Sequence, residues 1–442
     1  MGKWKKQSKN KHFCVVPWTH HYISPQSERR LCCASREAHS FTHQYLDASS
    51  QSTNGGEYRP QTLKEYWNSP KIREIRLKML KGEEVPECVV CQTQELSIST
   101  YKDYFTKDLF PHLIKEIYKS TAEDGSTEMK CRSFDYRLFN DCNFKCRMCG
   151  NLLSSSWEQE LRQHKRWNPE QDVWMRPEVK REILQFQKNV ARQEFFQALD
   201  DGEVEEIYWV GGEPLVWPDH WESMQRLVDK KLAAKVFCRY NTNLSIIERK
   251  GVHLFRDLLP HFKGYMIQAS IDGCGAVGEY IRTGLNWESW LENYKEGLKW
   301  IKNENGLVMD LTLTLPGLFS VVELVSLAES LKTRIYPKLV YAFDPSITIS
   351  PLALPRSILN SFIDDLIAEL TPICTYRTRP VIELLQNIKS RQTHEEKYEN
   401  VAEALRRGKQ YQLSLEAVRS SKVTLRDIYS QRSEVMNWWS DL

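Results

Sequence analysis

Three cysteines lie within eight positions of one another in the segment CNFKCRMCG, residues 142–150. Three residues separate Cys142 from Cys146, and two separate Cys146 from Cys149. The segment follows the strand-like stretch RSFDYRLF, so we expect a loop at the carboxyl edge of a sheet, where α/β folds place their active sites. A structural zinc ion takes four ligands, whereas a 4Fe–4S cluster held by three cysteines keeps one iron open. The spacing favours the cluster, with zinc completed by a remote ligand and metal-free buried thiols as alternatives.

A second group of cysteines precedes this segment: Cys14, Cys32, Cys33, Cys88 and Cys91. Cys88 and Cys91 are separated by two residues where a predicted helix ends, a spacing typical of a metal knuckle. Four thiolates close an iron–sulfur cluster completely. Because Cys32 and Cys33 are neighbours that point in different directions, we expect one of them to bind metal, and both are candidates. Structural zinc is the alternative, since four-thiolate zinc sites share these spacings.

The elements that would position these cysteines alternate between strands and helices from about residue 129 to 350. Strand-like stretches include EEIYWV, KVFCRYN, GYMIQASI, LVMDLTLTL and PKLVYAF. This alternation predicts parallel βαβ units in a barrel or open sheet. We expect four regions: a basic flexible tail at 1–12, a cysteine-rich domain with a helical connector at 13–128, the α/β core at 129–350, and a helical region at 351–442. A charged helical insertion is expected at 165–200.

Local signals in the cysteine-rich domain predict two elements. The stretch CVVPWTHHYI reads as a strand. A helix is expected to follow Ser69, because serine is a favoured N-cap and Pro70 suits the first helical position. Gly82 is expected to end that helix.

Composition excludes several classes of protein. The 442 residues exceed one ordinary core, and 41% of them are hydrophobic, which excludes a disordered chain. Lys and Arg number 61 against 58 Asp and Glu, so the net charge of +3 does not mark a nucleic-acid or membrane binder. The basic N-terminus lacks the apolar region of a secretory signal, and we expect a cytoplasmic protein. In a reducing compartment, clustered cysteines indicate metal or redox chemistry.

Four further motifs follow the first cysteine cluster in order: WVGGEP at 209–214, NTNL at 241–244, ASIDG at 269–273, and YIRTG around Arg282. With the C-x3-C-x2-C spacing, the sequence resembles the radical S-adenosylmethionine (SAM) enzymes over about residues 130–350. The resemblance implies a partial (β/α)6 TIM-type barrel. It also implies a 4Fe–4S cluster whose open iron chelates SAM, and reductive cleavage of SAM to a 5′-deoxyadenosyl radical that abstracts hydrogen from a substrate.

The resemblance implies a set of SAM-binding residues: Met148, Gly211, Gly212, Glu213, Asn243, Ser270, Arg282 and Leu313. The two glycines let backbone groups approach the methionine end of SAM. Glu213 would accept a hydrogen bond from its ammonium group, and Arg282 would bind its carboxylate. Asn243 and Ser270 are expected at the ribose or carboxylate. Met148 is expected near the adenine, as is Leu313, for which core packing is the alternative.

The stretches FCVVPWTHHYISPQSERRLCCAS and LKEYWNSPKIREIRLKMLKGEEVPECVVC resemble the SPASM and twitch auxiliary-cluster domains of the same superfamily. Those domains usually follow the barrel, whereas this one precedes it. The resemblance implies an auxiliary 4Fe–4S cluster that relays electrons, and a flavodoxin- or ferredoxin-type electron donor. Relatives commonly oxidise or crosslink peptides, so a peptide or protein side chain is the leading substrate. The alternatives are a small sugar or nucleotide substrate, or a zinc-stabilised, non-enzymatic interaction module.

Overall fold

The computed structural model describes residues 10–36, 60–93, 100–170, 172–342 and 344–442. The predicted tail at 1–12 therefore lies outside the described residues except for its last three positions. Among the residues described, no helix combines the length and apolar character needed to cross a bilayer.

An eight-stranded sheet organises the molecule, and six of its strands belong to the predicted α/β core. The strands are β1 (His20–Ile23), β2 (Arg29–Arg30), β3 (Ser133–Tyr136), β4 (Lys145–Cys146), β5 (Glu206–Trp209), β6 (Phe237–Thr242), β7 (Glu248–Arg249), β8 (Val252–His253), β9 (Gly264–Ser270), β10 (Arg282–Thr283), β11 (Leu307–Leu313) and β12 (Ile335–Leu339). The sheet order is β12-β11-β9-β6-β5-β3-β1-β2. Neighbouring strands of this sheet pair in parallel, except that β1 and β2 are antiparallel. This arrangement confirms the predicted fold class.

Side chains alternate between the two faces of this sheet, as the geometry of a strand requires. One set is apolar and belongs to the main hydrophobic core, together with residues of the surrounding helices; it includes Phe134, Ile207 and Met309. The alternate set is polar, and we call it the polar face: Asp135, Glu206, Tyr208, Arg239, Asn241, Gln268, Asp310 and Lys338. Burial of the apolar set drives the helices onto one side and leaves the other side free for polar chemistry.

Helices connect the strands and form the C-terminal region. They are α1 (Val16–Thr19), α2 (Leu63–Trp67), α3 (Pro70–Lys81), α4 (Val89–Thr93), α5 (Tyr101–Asp103), α6 (Ile114–Ser120), α7 (Ser155–Gln163), α8 (Pro177–Phe186), α9 (Arg192–Asp201), α10 (Pro218–Asp229), α11 (Gly275–Ile281), α12 (Trp287–Leu298), α13 (Leu315–Leu318), α14 (Val321–Ser330), α15 (Arg356–Leu370), α16 (Arg379–Ser390), α17 (His394–Lys397), α18 (Val401–Glu416), α19 (Leu425–Tyr429) and α20 (Ser433–Asp441). A π-helical turn, Gln187–Ala191, joins α8 to α9, so the charged segment predicted to be helical at 165–200 is continuously helical only from Pro177 onward.

Two strand predictions are wrong in extent. The stretch CVVPWTHHYI is not one strand, because Val16–Thr19 forms a helical turn with Pro17 near its start and only His20–Ile23 pairs in the sheet. Proline suits the first turn of a helix and cannot donate to a strand ladder. The last core strand spans Ile335–Leu339 and so begins and ends earlier than PKLVYAF.

The N-terminal domain has its own hydrophobic core and also joins the core sheet. Trp18, Ile72, Met79 and Phe105 are among the residues of this smaller core. Strand β1 pairs in parallel with β3, in the register His20 opposite Ser133. The domain also covers part of the polar face, where the Tyr104 hydroxyl donates a hydrogen bond to Glu206 at 3.4 Å. The cysteine-rich domain is therefore a direct extension of the α/β sheet.

Removal of the cap on α3 should destabilise the N-terminal domain. The Ser69 hydroxyl accepts a hydrogen bond from the Ile72 amide, and Gly82 ends the helix with a φ of 79°, as predicted. Because the cap satisfies an otherwise unpaired N–H, Ser69→Ala should lower the free energy of unfolding by about 1 kcal/mol and the thermal midpoint by about 2 °C. Calorimetry of the full chain measures this change. The control is Ser390→Ala, which changes the last residue of a different helix, α16, and should lower the thermal midpoint by less. Equal shifts in the two variants would contradict the capping role of Ser69.

Candidate functional site

The three-cysteine segment forms a loop between β3 and α7, held by the first residues of that helix. The Cys142 amide donates a hydrogen bond to the Ser155 hydroxyl at 3.1 Å, and Ser156 donates to the Cys142 carbonyl at 2.7 Å. The Trp157 indole donates to the Cys146 carbonyl at 2.9 Å. Cys146 lies in β4, which pairs antiparallel with β10. The backbone of the loop is thus fixed at the carboxyl edge of the sheet, as predicted.

The three thiols lie close enough to influence one another's ionisation. Burial raises the pKa of Cys142, and the nearby Cys146 thiol raises it further. Burial also raises the pKa of Cys146 to about 12, against the opposing effect of Arg282, and Cys149 adds to the increase. Such thiols are poor nucleophiles without a cation, because the thiolate is the reactive form. A bound metal would favour the thiolates, which makes this donor set suitable for metal ligation.

A cluster and a single zinc ion would require different spacings of these three thiols. Nowhere in the described ranges do three His, Cys, Asp or Glu side chains converge closely enough to hold one metal ion. Tetrahedral zinc, with Zn–S bonds of about 2.3 Å, would bring its sulfurs to about 3.8 Å from one another. An iron–sulfur cube places each cysteine on a different iron and separates the sulfurs further. Each of the twelve cysteines is a free thiol.

Gly211 and Gly212 permit a close backbone approach between the end of β5 and the cysteine loop. A Cβ on Gly212 would lie 2.2 Å from the Asp141 carbonyl oxygen, and Gly211 has a φ of 135°. The next residue, Glu213, donates its backbone N–H to the same carbonyl at 2.7 Å. The contact that requires Gly212 is therefore with the residue before Cys142. The predicted approach of SAM to these glycines stays a prediction.

The Glu213 side chain joins the ends of β5 and β6. Its carboxylate accepts hydrogen bonds from the Thr242 hydroxyl at 2.6 Å, and from the amides of Asn243 at 2.5 Å and Leu215 at 3.0 Å. Burial raises the pKa of Glu213 to about 7, and these donors oppose that increase. The Asn243 side-chain amide in turn donates to Asn143, beside Cys142, at 2.9 Å. Glu213 and Asn243 thus connect two strand ends to the cysteine loop.

Arg282 lies opposite Cys146, where β10 pairs with β4. Its Nη1 lies 3.7 Å from the Cys146 sulfur, and its Nε lies 2.6 Å from the Asp272 carboxylate. Burial opposes the charge of this guanidinium, but Asp272 and Cys146 raise the pKa of Arg282 above its ordinary value. The predicted bond to the SAM carboxylate stays a prediction, and the structure adds the contact with a candidate metal ligand.

The other predicted SAM contacts lie around the same edge with different exposures. Ser270 ends β9 and is half-buried, in register with Asp310 on β11. Met148 is half-buried and packs against the main core. Leu313 is fully buried in that core and pairs with Leu339, so its surroundings match the packing alternative.

The second cysteine group converges on one cavity in the N-terminal domain. Its walls include the predicted cysteines Cys14, Cys32, Cys88 and Cys91. Burial raises the pKa of Cys14 to about 12 and that of Cys32 well above its ordinary value, and neighbouring thiols raise both further. The thiol of Cys33 instead bonds with Tyr101 and lies near Asp135 of the polar face. The arrangement favours Cys32 over Cys33 as the fourth ligand, which the sequence left open.

Comparison with known proteins agrees with this geometry. The family model of the radical SAM superfamily matches residues 136–319. Residues 136–319 therefore form a radical SAM domain. A second family model, SPASM, described as an iron–sulfur cluster-binding domain, matches residues 14–92. The SPASM domain of this radical SAM protein thus precedes the core, as the sequence predicted.

One solved structure similar to the radical SAM protein is the crystal structure of Streptococcus suis SuiB bound to precursor peptide SuiA. The identity is 16%, the match covers 54% of this chain and 46% of that chain, and the TM-score is 0.31. The radical SAM chain thus spans less than half the length of that structure. No curated protein matches the sequence.

The C-terminal helices contribute contacts to the radical SAM core that the sequence motifs do not reveal. Arg147, between two of the cysteines, stacks on Tyr280 and donates to Gln412 of α18 at 3.0 Å. Arg419 bonds Glu160 at 2.7 Å and donates to the Lys145 carbonyl at 2.9 Å. The hydrogen-bonded partners of the Arg147 and Arg419 side chains named here, Gln412, Glu160 and Lys145, lie 259 to 274 residues from them in sequence. No local spacing could indicate them, although arginine inside a cysteine motif is an unusual choice for a buried position.

Gly212→Ala should disturb the cysteine loop of the radical SAM core. The added methyl group would overlap the Asp141 carbonyl, so we expect a cost of about 1–3 kcal/mol and less iron bound at this site. Iron analysis and thermal unfolding of the reconstituted chain measure both effects. Gly150→Ala is the matched control, because a Cβ there meets nothing within 4 Å. Normal iron content and stability in Gly212→Ala would contradict the close approach.

Cys32→Ala and Cys33→Ala should differ in the iron that the SPASM domain retains. Loss of a cavity-lining ligand should remove about four irons per chain, whereas Cys33→Ala should keep them. Iron and acid-labile sulfide, measured after anaerobic reconstitution, distinguish the two variants. Equal iron contents would show that the cavity does not select Cys32.

Proposed function

We propose that this radical SAM protein cleaves SAM reductively and abstracts hydrogen from a peptide or protein side chain. When bound, a 4Fe–4S cluster and SAM supply a 5′-deoxyadenosyl radical for that abstraction. The observation that carries the proposal is the position of Cys142, Cys146 and Cys149 on one loop at the carboxyl edge of a parallel sheet, where their thiols influence one another's ionisation. The radical SAM match over the same residues supports it.

The chain's own residues prepare the cysteine loop for this role. Cys142, Cys146 and Cys149 would hold the cluster. Arg282 keeps a positive charge beside Cys146 and lowers the pKa of that thiol, which favours its ligating form. Contacts from Glu213 and the serines of α7 fix the loop backbone before any ligand binds. Preorganisation of this kind limits the cost of assembling the site.

The polar face offers a surface for the substrate. Tyr208 donates to Asn241 at 2.5 Å, Asn241 donates to Asp310 at 3.1 Å, and Lys338 donates to the same carboxylate at 2.6 Å. Lys338 is exposed, whereas Tyr208 is buried beneath the N-terminal domain. A row of fixed donors and acceptors that leads from solvent to a covered end suits an extended polar chain. The SPASM match supports a peptide, because relatives with this domain commonly oxidise or crosslink peptides.

The N-terminal domain would complete the oxidation. We assign a second 4Fe–4S cluster to Cys14, Cys32, Cys88 and Cys91; when bound, it would accept the electron left on the substrate. Four cysteines leave no open iron, which favours electron relay over substrate binding. The neighbouring Cys33 lies near Asp135 of the polar face. The auxiliary site therefore adjoins the surface assigned to the substrate, as a relay requires.

Two other functions are compatible with parts of this arrangement. Radical oxidation or rearrangement of a small sugar or nucleotide would use the same core, and the polar face could bind either. A zinc-stabilised, non-enzymatic module would use the cysteines for structure alone. The radical SAM match over residues 136–319 argues against that module.

The chain purified without oxygen should contain iron and acid-labile sulfide in amounts that correspond to two 4Fe–4S clusters. Incubation with dithionite and SAM should yield 5′-deoxyadenosine. Replacement of Cys142, Cys146 and Cys149 by Ala should abolish cleavage, whereas Cys88→Ala with Cys91→Ala should retain uncoupled cleavage and lose substrate oxidation. Chromatographic detection of 5′-deoxyadenosine measures these outcomes.

A colourless protein with stoichiometric zinc would favour the interaction module. Unimpaired substrate turnover after loss of Cys88 and Cys91 would contradict the relay. Deuterium transfer to 5′-deoxyadenosine from a labelled peptide, and not from a labelled nucleotide, would separate the two substrate classes.

A further inference from the structure

A groove along α8 reaches the backbone of the cysteine loop from outside the polar face. We call it the basic groove; its walls include Arg162, Lys180, Arg181, Leu184 and Lys188. Its inner end is formed in part by Asn140, Asp141 and Ser155. Ser155 bonds the Cys142 amide, so the floor of the groove lies one hydrogen bond from a candidate cluster ligand.

The charges of this groove divide into paired and unpaired groups. Arg162 and Lys180 form ion pairs with Glu158, at 3.0 and 2.9 Å. Arg181 and Lys188 are exposed, and neither has an ion-pair partner among the residues that the structure describes. Glu158 and the exposed Asp141 are the acidic groups among the lining residues, against the four cationic side chains of the groove. The rim therefore presents net positive charge to a partner, although the whole chain carries only +3.

The rim is also partly apolar. The Leu184 side chain is 41% exposed between the charged groups of α8. A single exposed leucine is common on protein surfaces, and here it would add a small apolar contact to an encounter that the charges steer. None of the strand residues of the polar face lines this groove. The groove is thus separate from the surface assigned to the substrate.

We infer that the basic groove docks a small acidic one-electron carrier protein. This inference rests on the proposed function, which requires one electron for each cleavage of SAM. The carrier would be oxidised by one electron and the cluster of the radical SAM core reduced by one. When bound, SAM would receive that electron at its sulfonium, and cleavage of the C–S bond would yield methionine and the 5′-deoxyadenosyl radical. Docking at the inner end of the groove, beside Ser155, would bring the carrier's redox group close to Cys142.

Reversal of the two unpaired charges tests this assignment. Arg181→Glu with Lys188→Glu should raise the KM for a reduced flavodoxin about tenfold, because opposite charges steer association at low salt. Dithionite does not need the groove, so dithionite-driven 5′-deoxyadenosine formation should be unchanged. The matched control, Lys295→Glu with Lys302→Glu, reverses two exposed charges that do not line the groove.

Binding supplies a readout that does not depend on turnover. Flavodoxin fluorescence titrated with the full chain should show about tenfold weaker affinity for the groove variant and no change for the control. The difference should shrink at high salt, which screens exposed charges. An unchanged KM and affinity in the groove variant would overturn the inference, as would an equal loss in the control or in the dithionite reaction. Failure of the wild-type chain to form 5′-deoxyadenosine with dithionite would instead refute the proposed function and this inference with it.

Discussion

One buried carboxylate determines where the cysteine loop lies relative to the sheet. Glu213 accepts hydrogen bonds from Thr242, Asn243 and Leu215, and its own amide bonds the Asp141 carbonyl. Burial of a charge is costly unless hydrogen bonds compensate it. Two strand ends must therefore keep their positions for the carboxylate to keep its donors. The loop that carries Cys142 is fixed as part of the same arrangement.

The loop is held on its other side by contacts from distant parts of the chain. Serines of α7 bond the Cys142 backbone, while Arg147 and Arg419 connect the loop segment to the C-terminal helices. Buried arginines of this kind are costly to leave unpaired, so each contact requires the helices to be in place. The C-terminal region thus stabilises the site without supplying a predicted cofactor ligand.

The sequence predicted the parallel core and the capped helix at Pro70–Lys81, because each depends on short-range patterns. The metal ligands of both cysteine groups stay a prediction. Strand alternation has a period of two, and metal knuckles have fixed spacings. Other features depend on long-range packing. The role of Gly212 could not be read from WVGGEP, since its close contact is with Asp141 on another segment. Likewise, only tertiary structure turns Cys32 toward the other cysteines and Cys33 toward Asp135. Val16–Thr19 was misread as strand because its β-branched residues outweighed the proline signal.

The parallel pairing of β1 with β3 makes the two halves of this protein mutually dependent. A fragment that began at residue 129 would leave one side of β3 with unpaired backbone groups, and such an edge invites aggregation. It would also expose the buried part of the polar face, including Glu206 and Tyr208. Although two family models divide the chain, backbone hydrogen bonds make it a single folding unit. The order of domains along the chain could change in evolution only if some other strand took the place of β1.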